Sequence, residues 1–260
     1  MALNLVMLGP PGAGKGTQAE RFAREHGIPK VSTGDILREA VQSGSELGRK
    51  VKAVMERGEL VGDELMIDIA RERLSRPDAM GGFVLDGFPR TAPQAKALDE
   101  ITASRGPVIC IEIQVPDEEL VRRVRARRVC EDCGANADAF ENKRDALPDL
   151  CQNTERCRSI GPKWVARSDD SELVVRERLK IYWRDTRPMI DYYSSRPTFR
   201  SIDGLQTPEQ VREAMVSAVA SALGLPAAQL RSMAKKLDGV TGDDQTVPPR
   251  RPRRDKGVQA

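Results

Sequence analysis

The sequence predicts an α/β fold in three layers, with helices on both faces of a five-stranded parallel sheet. Short apolar runs alternate along the chain with longer amphipathic stretches, and strands separated by helices favour a parallel sheet covered on both sides. Glycine, hydroxyl and carboxylate residues follow several of the apolar runs, at the strand ends where ligands bind in such sheets. The length of 260 residues suits one large domain with a small insertion.

The order of the elements can be predicted from the spacing of apolar residues. The predicted strands are the short apolar runs Leu3–Leu8, Val31–Ser32, Phe83–Leu85, Val108–Val115 and Phe199–Ile202. The predicted helices have helical periodicity and lie at residues 15–26, 34–42, 46–57, 63–75, 92–103, 117–128, 170–193 and 208–222. Two segments interrupt the alternation. Residues 130–166 are rich in Cys, Asp, Asn and Gly and are interpreted as an inserted module, and residues 225–260 lack the apolar content to fold and are predicted to be a disordered basic tail.

A glycine-rich segment, Gly9-Pro-Pro-Gly-Ala-Gly-Lys-Gly-Thr17, follows the first predicted strand and opens the first helix. Glycines let the backbone wrap closely around an anion, while the N–H groups of the loop and the helix N-terminus converge on one point. Lys15 adds a charged donor for the β- and γ-phosphates, and Thr17 adds a hydroxyl suited to bound Mg²⁺. The segment therefore predicts a nucleoside triphosphate site. Gly16 stands where the usual pattern has Ser or Thr, and a glycine turn that binds nothing is the alternative.

Two further strand ends carry polar side chains. Asp86 ends the third predicted strand, a position that suits Mg²⁺ held through water, and Arg90 follows with a guanidinium for phosphates. Thr33 and Arg38 lie in a second strand–turn–helix segment, Ser32–Arg38, and suit a second phosphorylated ligand. Both Asp86 and Thr33 have a simpler interpretation as caps of a neighbouring helix.

Several arginines can be placed on helix faces. Arg123 and Arg127 are four residues apart and share a face. Pairing of Arg123 with Glu119 and of Arg127 with Glu131 is the alternative to a ligand role.

The surroundings of Arg178 are more informative. Its neighbours three and four residues away are apolar or aromatic, and a buried guanidinium needs an anion. Arg167 lies eleven residues earlier, about three helical turns, and can meet the same anion. By contrast, Arg176 has Glu172 four residues before it and is interpreted as a surface residue.

Together these segments resemble bacterial adenylate kinases in order and spacing over roughly residues 3–223. The motifs that carry the resemblance are Gly9–Thr17, Ser32–Arg38, Leu85–Thr91, Arg127-Arg-Val and Arg167-Ser-Asp-Asp170. The resemblance implies reversible transfer of a phosphoryl group from MgATP to AMP, giving two ADP. It also implies a core of residues 1–224 containing two mobile parts, an AMP-binding segment at residues 32–61 and a lid at residues 127–169 that closes over the reaction. A monomer is the family expectation.

The resemblance implies a role for each matching residue. ATP would be held by Gly12, Ala13, Gly14, Lys15, Gly16, Thr17, Arg123 and Arg127, with Gln206 near its base. AMP would be held by Thr33, Arg38, Glu59, Leu60, Val61, Gly87, Phe88, Pro89, Arg90, Gln94, Arg167 and Arg178. Lys15, Arg90, Arg127, Arg167 and Arg178 would surround the transferred group, with Asp86 on Mg²⁺ through water. A kinase for another monophosphate is the close alternative. Gln94 argues against it, while Gly62 replaces a residue common in the family.

Four of the five cysteines, Cys130, Cys133, Cys151 and Cys157, cluster in the predicted lid, whereas Cys110 lies in an apolar run and is predicted to be a buried hydrophobe. The cluster resembles the four-cysteine zinc site found in the lids of many bacterial adenylate kinases. Four thiolates suit tetrahedral Zn²⁺. However, five residues separate the second pair, where the family usually has two. A metal-free thiol cluster is therefore the alternative to structural zinc.

Charge and hydropathy bound the remaining possibilities. The net charge is +3, but residues 225–260 contain eight Lys or Arg and four Asp, so the rest of the chain carries a net charge of −1. The tail is therefore either a solvated charged end or a weak contact for RNA or acidic partners. No apolar run approaches the length of a membrane span and no secretory signal precedes the first strand, so a cytosolic protein is expected. A nucleic-acid-binding protein with a zinc ribbon and a basic tail is the alternative from another class, but it leaves the glycine-rich loop unexplained.

Overall fold

The computed structural model describes residues 2–131, 155–161, 163–167 and 169–238. Its main sheet has five strands in the order β2-β3-β1-β4-β7, and all four pairings are parallel. These strands are β1 (Leu3–Leu8), β2 (Lys30–Ser32), β3 (Gly82–Asp86), β4 (Val108–Gln114) and β7 (Phe199–Asp203). The predicted α/β fold with a five-stranded parallel sheet is confirmed, and each predicted strand agrees with an observed one to within a residue or two.

Helices connect the strands and cover the sheet. They are α1 (Lys15–Glu25), α2 (Thr33–Gln42), α3 (Glu46–Glu56), α4 (Asp63–Leu74), α5 (Ala92–Thr102), α6 (Asp117–Ala126), α7 (Glu155–Ile160), α8 (Glu172–Ile181), α9 (Arg187–Ser194), α10 (Pro208–Ala222) and α11 (Ala227–Asp238). A 3₁₀ turn, Pro77–Ala79, precedes β3. Two short antiparallel strands, β5 (Val129–Cys130) and β6 (Trp164–Val165), lie at the two ends of the inserted module.

Alternate residues of the central strands supply two separate cores, one on each face of the sheet. In β1, Leu5 and Met7 pack in the core formed with α1, α6 and α10. Val6 and Leu8 pack in the opposite core with α2, α4, α5 and α9. Every residue of β1 is buried, as expected of a parallel strand with a helix layer on each side. The three-layer arrangement leaves the carboxyl ends of the strands open for a site.

The predicted helix at residues 170–193 is observed as two α-helices, α8 and α9, joined by a π-helical turn, Tyr182–Thr186. Pro188 lies at the start of α9 and has no N–H to donate to the carbonyl four residues earlier, so the regular α-helical ladder is interrupted there. The wider turn brings Tyr182 and Thr186 to the wall of the cavity described below.

The segment after Gly224 differs from the prediction in its first part. Ala227–Asp238 forms α11, which packs on α10. Leu230 is fully buried in the core on that face of the sheet, so one apolar side chain at the right helical position outweighs the generally polar composition. The remainder of the predicted tail, residues 239–260, lies outside the described residues.

In the part of the chain that the structure describes, no helix is both long and apolar enough to cross a lipid bilayer.

We expect deletion of residues 226–260 to destabilise the protein, because it exposes the surface that Leu230 covers. Full burial of a leucine is worth about 2 kcal/mol, which corresponds to a fall in Tm of roughly 4–8 °C for a chain of this size. Deletion of residues 239–260 keeps α11 and is expected to leave both Tm and activity unchanged. Thermal unfolding of the two deletions beside Leu230→Ala measures the difference, and equal Tm values for both deletions would contradict the role given to α11.

Candidate active site

Two adjoining cavities lie at the carboxyl end of the sheet. The first is bounded by the glycine-rich loop, α2, α6 and α8, and the second lies between α2, the α3–α4 loop and the start of α5. The two cavities share part of their walls: Gly34, Arg38, Gly58, Leu60, Arg90 and Arg178 line both. A pair of ligands bound in them would therefore meet at a wall that carries three guanidinium groups.

The glycine-rich loop of the first cavity has the backbone geometry that its sequence predicts. Gly12 and Gly14 have φ angles of 88° and 94°, in the left-handed region that favours glycine. A Cβ atom on Gly12 would also lie 2.7 Å from Cγ2 of Val124, so a side chain there would push α6 away from the loop. α1 begins at Lys15, and Gly14, Gly16 and Thr17 line the cavity beside it, while Ala13 is buried. The N-terminus of α1 therefore faces the cavity, as anion binding requires.

Lys15 lies at the centre of the positive charge in the first cavity. Its Nζ donates to the carbonyl of Pro10 at 2.7 Å. Burial lowers its pKa to about 8, with the charges of Arg90, Arg178 and Arg127 acting in the same direction and Asp86 opposing them. The unfolded chain keeps the higher pKa of 10.5, so below pH 8 the charged Lys15 lowers the free energy of unfolding. This destabilisation decreases as the pH rises from about 8 toward the pKa of the unfolded chain. A bound phosphate would remove the same destabilisation.

The turn after β3 joins the two cavities. Asp86 lines the first cavity from the end of β3, and the Nε of Arg90 donates to the carbonyl of Gly87 at 2.8 Å. A Cβ atom on Gly87, which has φ of 85°, would lie 3.1 Å both from the Oγ1 of Thr33 and from a guanidinium nitrogen of Arg90. Glycine at this position therefore lets the two side chains approach the same carbonyl.

Thr33 is not the helix cap that the simpler interpretation proposed. Ser32 caps α2, accepting from the N–H of Asp35, whereas the hydroxyl of Thr33 donates to the carbonyl of Gly87 at 2.9 Å. Thr33 is buried and lines the second cavity. The structure thus brings Thr33 to the predicted second site.

Gln94 is buried at the base of the second cavity. Its side-chain oxygen accepts from the N–H of Arg90 at 2.8 Å and its amide nitrogen donates to Asp63 at 2.7 Å. Glu59 is exposed on the other wall and its carboxylate pairs with Arg57. The remaining residues predicted for AMP are placed by the same loops: Leu60 and Val61 line the second cavity, Pro89 lines the first and Phe88 is buried in the core.

Five predicted arginines converge from separate parts of the chain. Arg38, Arg90, Arg127, Arg167 and Arg178 all line the first cavity. Burial lowers the pKa of Arg90 to about 10, with the charges of Arg178 and Arg38 adding to the effect, and burial with the charge of Arg127 does the same to the pKa of Arg167. These groups repel one another in the free protein, so a polyphosphate is the ligand that the electrostatics favour.

Carboxylates that the sequence analysis left without a role hold three of these arginines. Arg178 donates to Asp169 at 2.9 Å, and Arg38 lies 3.9 Å from the same carboxylate oxygen while also pairing with Asp35. Arg127 pairs with Asp170 rather than with Glu131, which pairs with Lys163. The anion expected for Arg178 is therefore Asp169. Both aspartates stand within the motif Arg167-Ser-Asp-Asp170, which is the signal that could have found them.

Two residues predicted to bind ATP, Arg123 and Gln206, are less clearly directed to the cavity than the others. Arg123 lines the first cavity and is buried, and it also donates to Glu119 at 2.7 Å, so the ion pair foreseen as an alternative is present. Gln206 is exposed in the turn between β7 and α10 and does not belong to the described wall of either cavity. Arg176 pairs with Glu172 at the surface, as expected.

The cysteines of the inserted module are described in part. The sulfurs of Cys130 and Cys157 are buried and lie 3.5 Å apart, whereas Cys133 and Cys151 lie outside the described residues. In the described ranges, no group of three or more His, Cys, Asp or Glu side chains is placed to hold a metal ion. Cys110 is a buried free thiol in the core, as predicted.

Comparison with known proteins agrees with this geometry. The family model for adenylate kinase matches residues 7–198. An adenylate kinase of Archaeoglobus fulgidus is 47% identical over 211 residues, which is 80% of this chain and 94% of that protein. Adenylate kinases of Kosmotoga olearia and Rhizobium etli are 46% and 44% identical, over 81% and 85% of this chain and 96% and 100% of their own lengths. The chain belongs to the adenylate kinase family.

Proposed function

We propose that the two cavities bind MgATP and AMP end to end and transfer the terminal phosphoryl group between them, giving two ADP. The observation that carries this proposal is the shared wall, where Arg38, Arg90 and Arg178 line both cavities. Phosphoryl transfer needs little covalent chemistry from the protein and depends on positioning and charge neutralisation. A fixed set of cations between two adjoining cavities supplies both.

The residues divide between the substrates according to the cavity that they line. The glycine-rich loop from Gly12 to Thr17, with Arg123 and Arg127, would hold ATP at the first cavity, and the residues around Thr33 and Gln94 would hold AMP at the second. Gly87 lines the first cavity, and we assign it to AMP because its carbonyl accepts from Thr33. Mg²⁺ enters as part of the nucleotide substrate. The hydroxyl of Thr17 and the carboxylate of Asp86 are hard oxygen ligands beside this site and suit it, the latter through water. A place for Gln206 near the adenine of ATP remains a proposal from the resemblance.

Two segments are proposed to move during the reaction. Water would compete with AMP for the phosphoryl group, so the site has to close before transfer, and adenylate kinases are a well-known case of lid closure. Residues 32–61 carry Arg38, and residues 127–169 carry Arg127 and Arg167, so both segments deliver cations to the site. The core of residues 1–224 would hold the glycine-rich loop and Arg178 in place. A monomeric, cytosolic enzyme is part of this proposal.

We propose AMP as the phosphoryl acceptor because of the position of the Gln94 side chain. The amide lies at the base of the second cavity and is already held by Arg90 and Asp63, so its orientation is fixed before a base arrives. A fixed amide can donate to and accept from the edge of a purine. The alternative, a kinase for another monophosphate, has the same phosphate chemistry and differs only at this base site.

A coupled assay that supplies MgATP with AMP, CMP, UMP or GMP in separate reactions tests the function. We expect AMP to be converted and the other monophosphates to be converted far more slowly. Faster conversion of CMP or UMP would assign the enzyme to another monophosphate. Failure to convert any of them, together with tight RNA binding, would overturn the proposal in favour of a nucleic-acid-binding protein.

Zinc in the lid is proposed on the geometry of the described cysteine pair. Two thiolates at the Zn–S distance of about 2.3 Å in a tetrahedral site lie about 3.8 Å apart, and the observed separation of the Cys130 and Cys157 sulfurs is 3.5 Å. The pair therefore fits two of four ligands, with Cys133 and Cys151 as the other candidates. The ion would act as a structural staple for residues 130–166, whose sequence is rich in Cys, Asp, Asn and Gly, and would take no part in phosphoryl transfer.

We expect the purified protein to contain about one zinc per chain, measured by elemental analysis. Cys157→Ser should remove the metal and lower the Tm, because binding of a structural metal contributes directly to folding. Cys110→Ala is the matched control, since Cys110 lies in the core away from the module, and should keep the metal. A Cys157→Ser protein with unchanged metal content and Tm would rule the site out in favour of a metal-free thiol cluster.

A further inference from the structure

The side chain of Asp63 joins the first turns of two helices beside the second cavity. Asp63 is the first residue of α4, and Thr91 is the N-cap of α5. One carboxylate oxygen of Asp63 accepts from the hydroxyl of Thr91 at 2.9 Å and from the side-chain amide of Gln94 at 2.7 Å. These partners lie 28 and 31 positions from Asp63. The carboxylate therefore holds together two elements that are far apart in the chain.

The partners of Gln94 allow its amide a single orientation. Its side-chain oxygen accepts from the backbone N–H of Arg90 at 2.8 Å, and its amide nitrogen donates to Asp63. A backbone N–H can only donate, and a carboxylate can only accept. Turning the amide over would place its oxygen against the carboxylate of Asp63 and its nitrogen against the N–H of Arg90. Gln94 is only 2% exposed, so water is not at hand to relieve either contact.

The locked amide keeps one N–H donor and one acceptor lone pair for a ligand. A side-chain amide has two of each, and Asp63 and Arg90 use one of each. Gln94 lines the second cavity, whereas Asp63 and Thr91 do not belong to the described walls of either cavity. Asp63 therefore influences a ligand of the second cavity through Gln94.

A donor and an acceptor in fixed order distinguish amino bases from keto bases. At one edge of adenine the 6-amino group donates and N1 accepts, whereas at the same edge of guanine and hypoxanthine O6 accepts and the N–H at position 1 donates. An amide that could turn over would serve both kinds of base. An amide of fixed orientation matches one order and meets the other with two pairs of like groups, so it rejects the second kind of base.

We propose that Asp63 is a positioning residue that sets the base specificity of the second cavity, by locking the amide of Gln94 in the order that fits an amino base. The inference rests on the proposed function, in which AMP is the phosphoryl acceptor. It assigns the rejection of IMP and GMP to a carboxylate that lies outside the described cavity walls. IMP is the sharper probe of the two, because hypoxanthine differs from adenine only at position 6 and in the proton on N1.

The first turn of α4 offers a matched control. Glu64 follows Asp63, and both are acidic residues of that turn, so each interacts favourably with the N-terminus of the helix. Glu64 is exposed and does not belong to the described walls of the cavities. Glu64→Gln therefore removes a negative charge from the same turn and leaves the contact between Asp63 and Gln94 in place.

The experiment measures kcat and KM with AMP and with IMP, at a fixed concentration of MgATP, for the wild type, Asp63→Asn and Glu64→Gln. We expect the wild type to prefer AMP by about 100-fold in kcat/KM. Asp63→Asn should reduce that preference about tenfold or more, because an asparagine can donate as well as accept and so permits either orientation of Gln94. Glu64→Gln should keep the preference within about twofold.

The ratio of kcat/KM for AMP to that for IMP separates positioning from general damage. A merely structural loss would lower both activities together, so an unchanged ratio in a folded Asp63→Asn enzyme would overturn the inference. Should Asp63→Asn not fold, Asp63→Ser gives the amide the same freedom, and an unchanged ratio in that variant would be equally fatal.

A double-mutant cycle with Gln94→Ala shows whether Asp63 acts through the amide. Once Gln94→Ala is present, Asp63→Asn should change the ratio by no more than about twofold. A further change as large as that in the wild-type background would overturn the inference.

The same measurements keep the inference apart from the proposed function. A wild type that converts AMP and IMP equally well would overturn the inference and leave phosphoryl transfer intact. A wild type that converts neither would refute the proposed function. The Kd values for AMP and IMP, measured by calorimetry on the wild type and Asp63→Asn, would then decide the inference by their ratio.

Discussion

Replacement of Lys15 by Met should lower the rate of ADP formation by about a thousandfold, the loss typical of removing one charged group from a preorganised phosphoryl-transfer site. Lys15 contacts the loop carbonyl of Pro10 and lies at the start of α1, where the helix N-terminus faces the cavity. Its ammonium is the one lysine charge that the glycine-rich loop itself supplies. Because the cation is disfavoured in the free protein, its removal should not unfold the chain, and the Tm of the unliganded variant should equal or exceed that of the wild type.

The pH dependence of nucleotide binding gives an independent readout of Lys15. With its pKa lowered to about 8 in the free protein, Lys15 is mainly neutral at pH 9 and mainly charged at pH 7. A bound phosphate raises the pKa again, so binding of MgATP at pH 9 should take up close to one proton that binding at pH 7 does not. Calorimetry in buffers of different ionisation enthalpy measures this uptake. Lys15→Met should abolish the difference between the two pH values.

Lys50→Met is the matched control for Lys15→Met. Lys50 is an exposed lysine of α3, 68% exposed and paired with Glu46, so its loss should change neither rate nor proton uptake. A Lys15→Met enzyme with near-normal turnover would remove the glycine-rich loop from the mechanism. Loss of turnover with unchanged proton uptake would show that the titrating group at pH 9 is another one.

The parts of this structure that could be predicted from sequence are those governed by local rules. The strand, glycine-rich loop and helix from Leu3 to Glu25 follow from an apolar run, left-handed glycines and helical periodicity over one short stretch. Asp86 could be placed at the cavity because the carboxyl ends of parallel strands share one edge of the sheet. In each case the information lies within a few residues of the feature.

The parts that could not be predicted depend on contacts between distant or irregular segments. Arg127 was considered beside Glu131 because the two are four residues apart in sequence, but the observed helix ends at Ala126 and Arg127 pairs with Asp170 instead. Helical spacing around Arg178 could not reveal Asp169, which precedes α8 and approaches from a turn. Leu230 was overlooked because composition averages over a segment, whereas burial depends on one side chain meeting a core.

The cluster of arginines that serves phosphate binding also lowers the stability of the unliganded protein. In the free protein, buried cations line one cavity, and Arg90, Arg167 and Lys15 all have lowered pKa values. A lowered pKa for a cation means that the folded state disfavours its charged form relative to the unfolded chain. Asp169 and Asp170 offset part of this repulsion, and phosphates would offset the rest. We therefore expect nucleotides to stabilise the fold strongly.

Arg90→Met tests whether a cation of the site lowers stability while it promotes turnover, because Arg90 lies on the wall shared by both cavities. We expect turnover to fall by about 10³-fold or more, the range found for arginines that neutralise a transferred phosphoryl group. The Tm of the free protein should stay the same or rise, since the carbonyl of Gly87 keeps its hydrogen bond from Thr33 when that from Arg90 is lost.

The ligand-dependent rise in Tm distinguishes a functional Arg90 from a structural one. An analogue that links the two nucleotides through a polyphosphate should raise the Tm of the wild type far more than that of Arg90→Met, because only the wild type gains relief of repulsion at the shared wall. Arg76→Met, at an exposed arginine paired with Glu72, should behave like the wild type. An Arg90→Met protein with a lower Tm when unliganded and a normal turnover would contradict this prediction. It would show that the guanidinium stabilises the turn between β3 and α5 and does not bind the phosphates. The shared cationic wall would then no longer explain why the two cavities meet there.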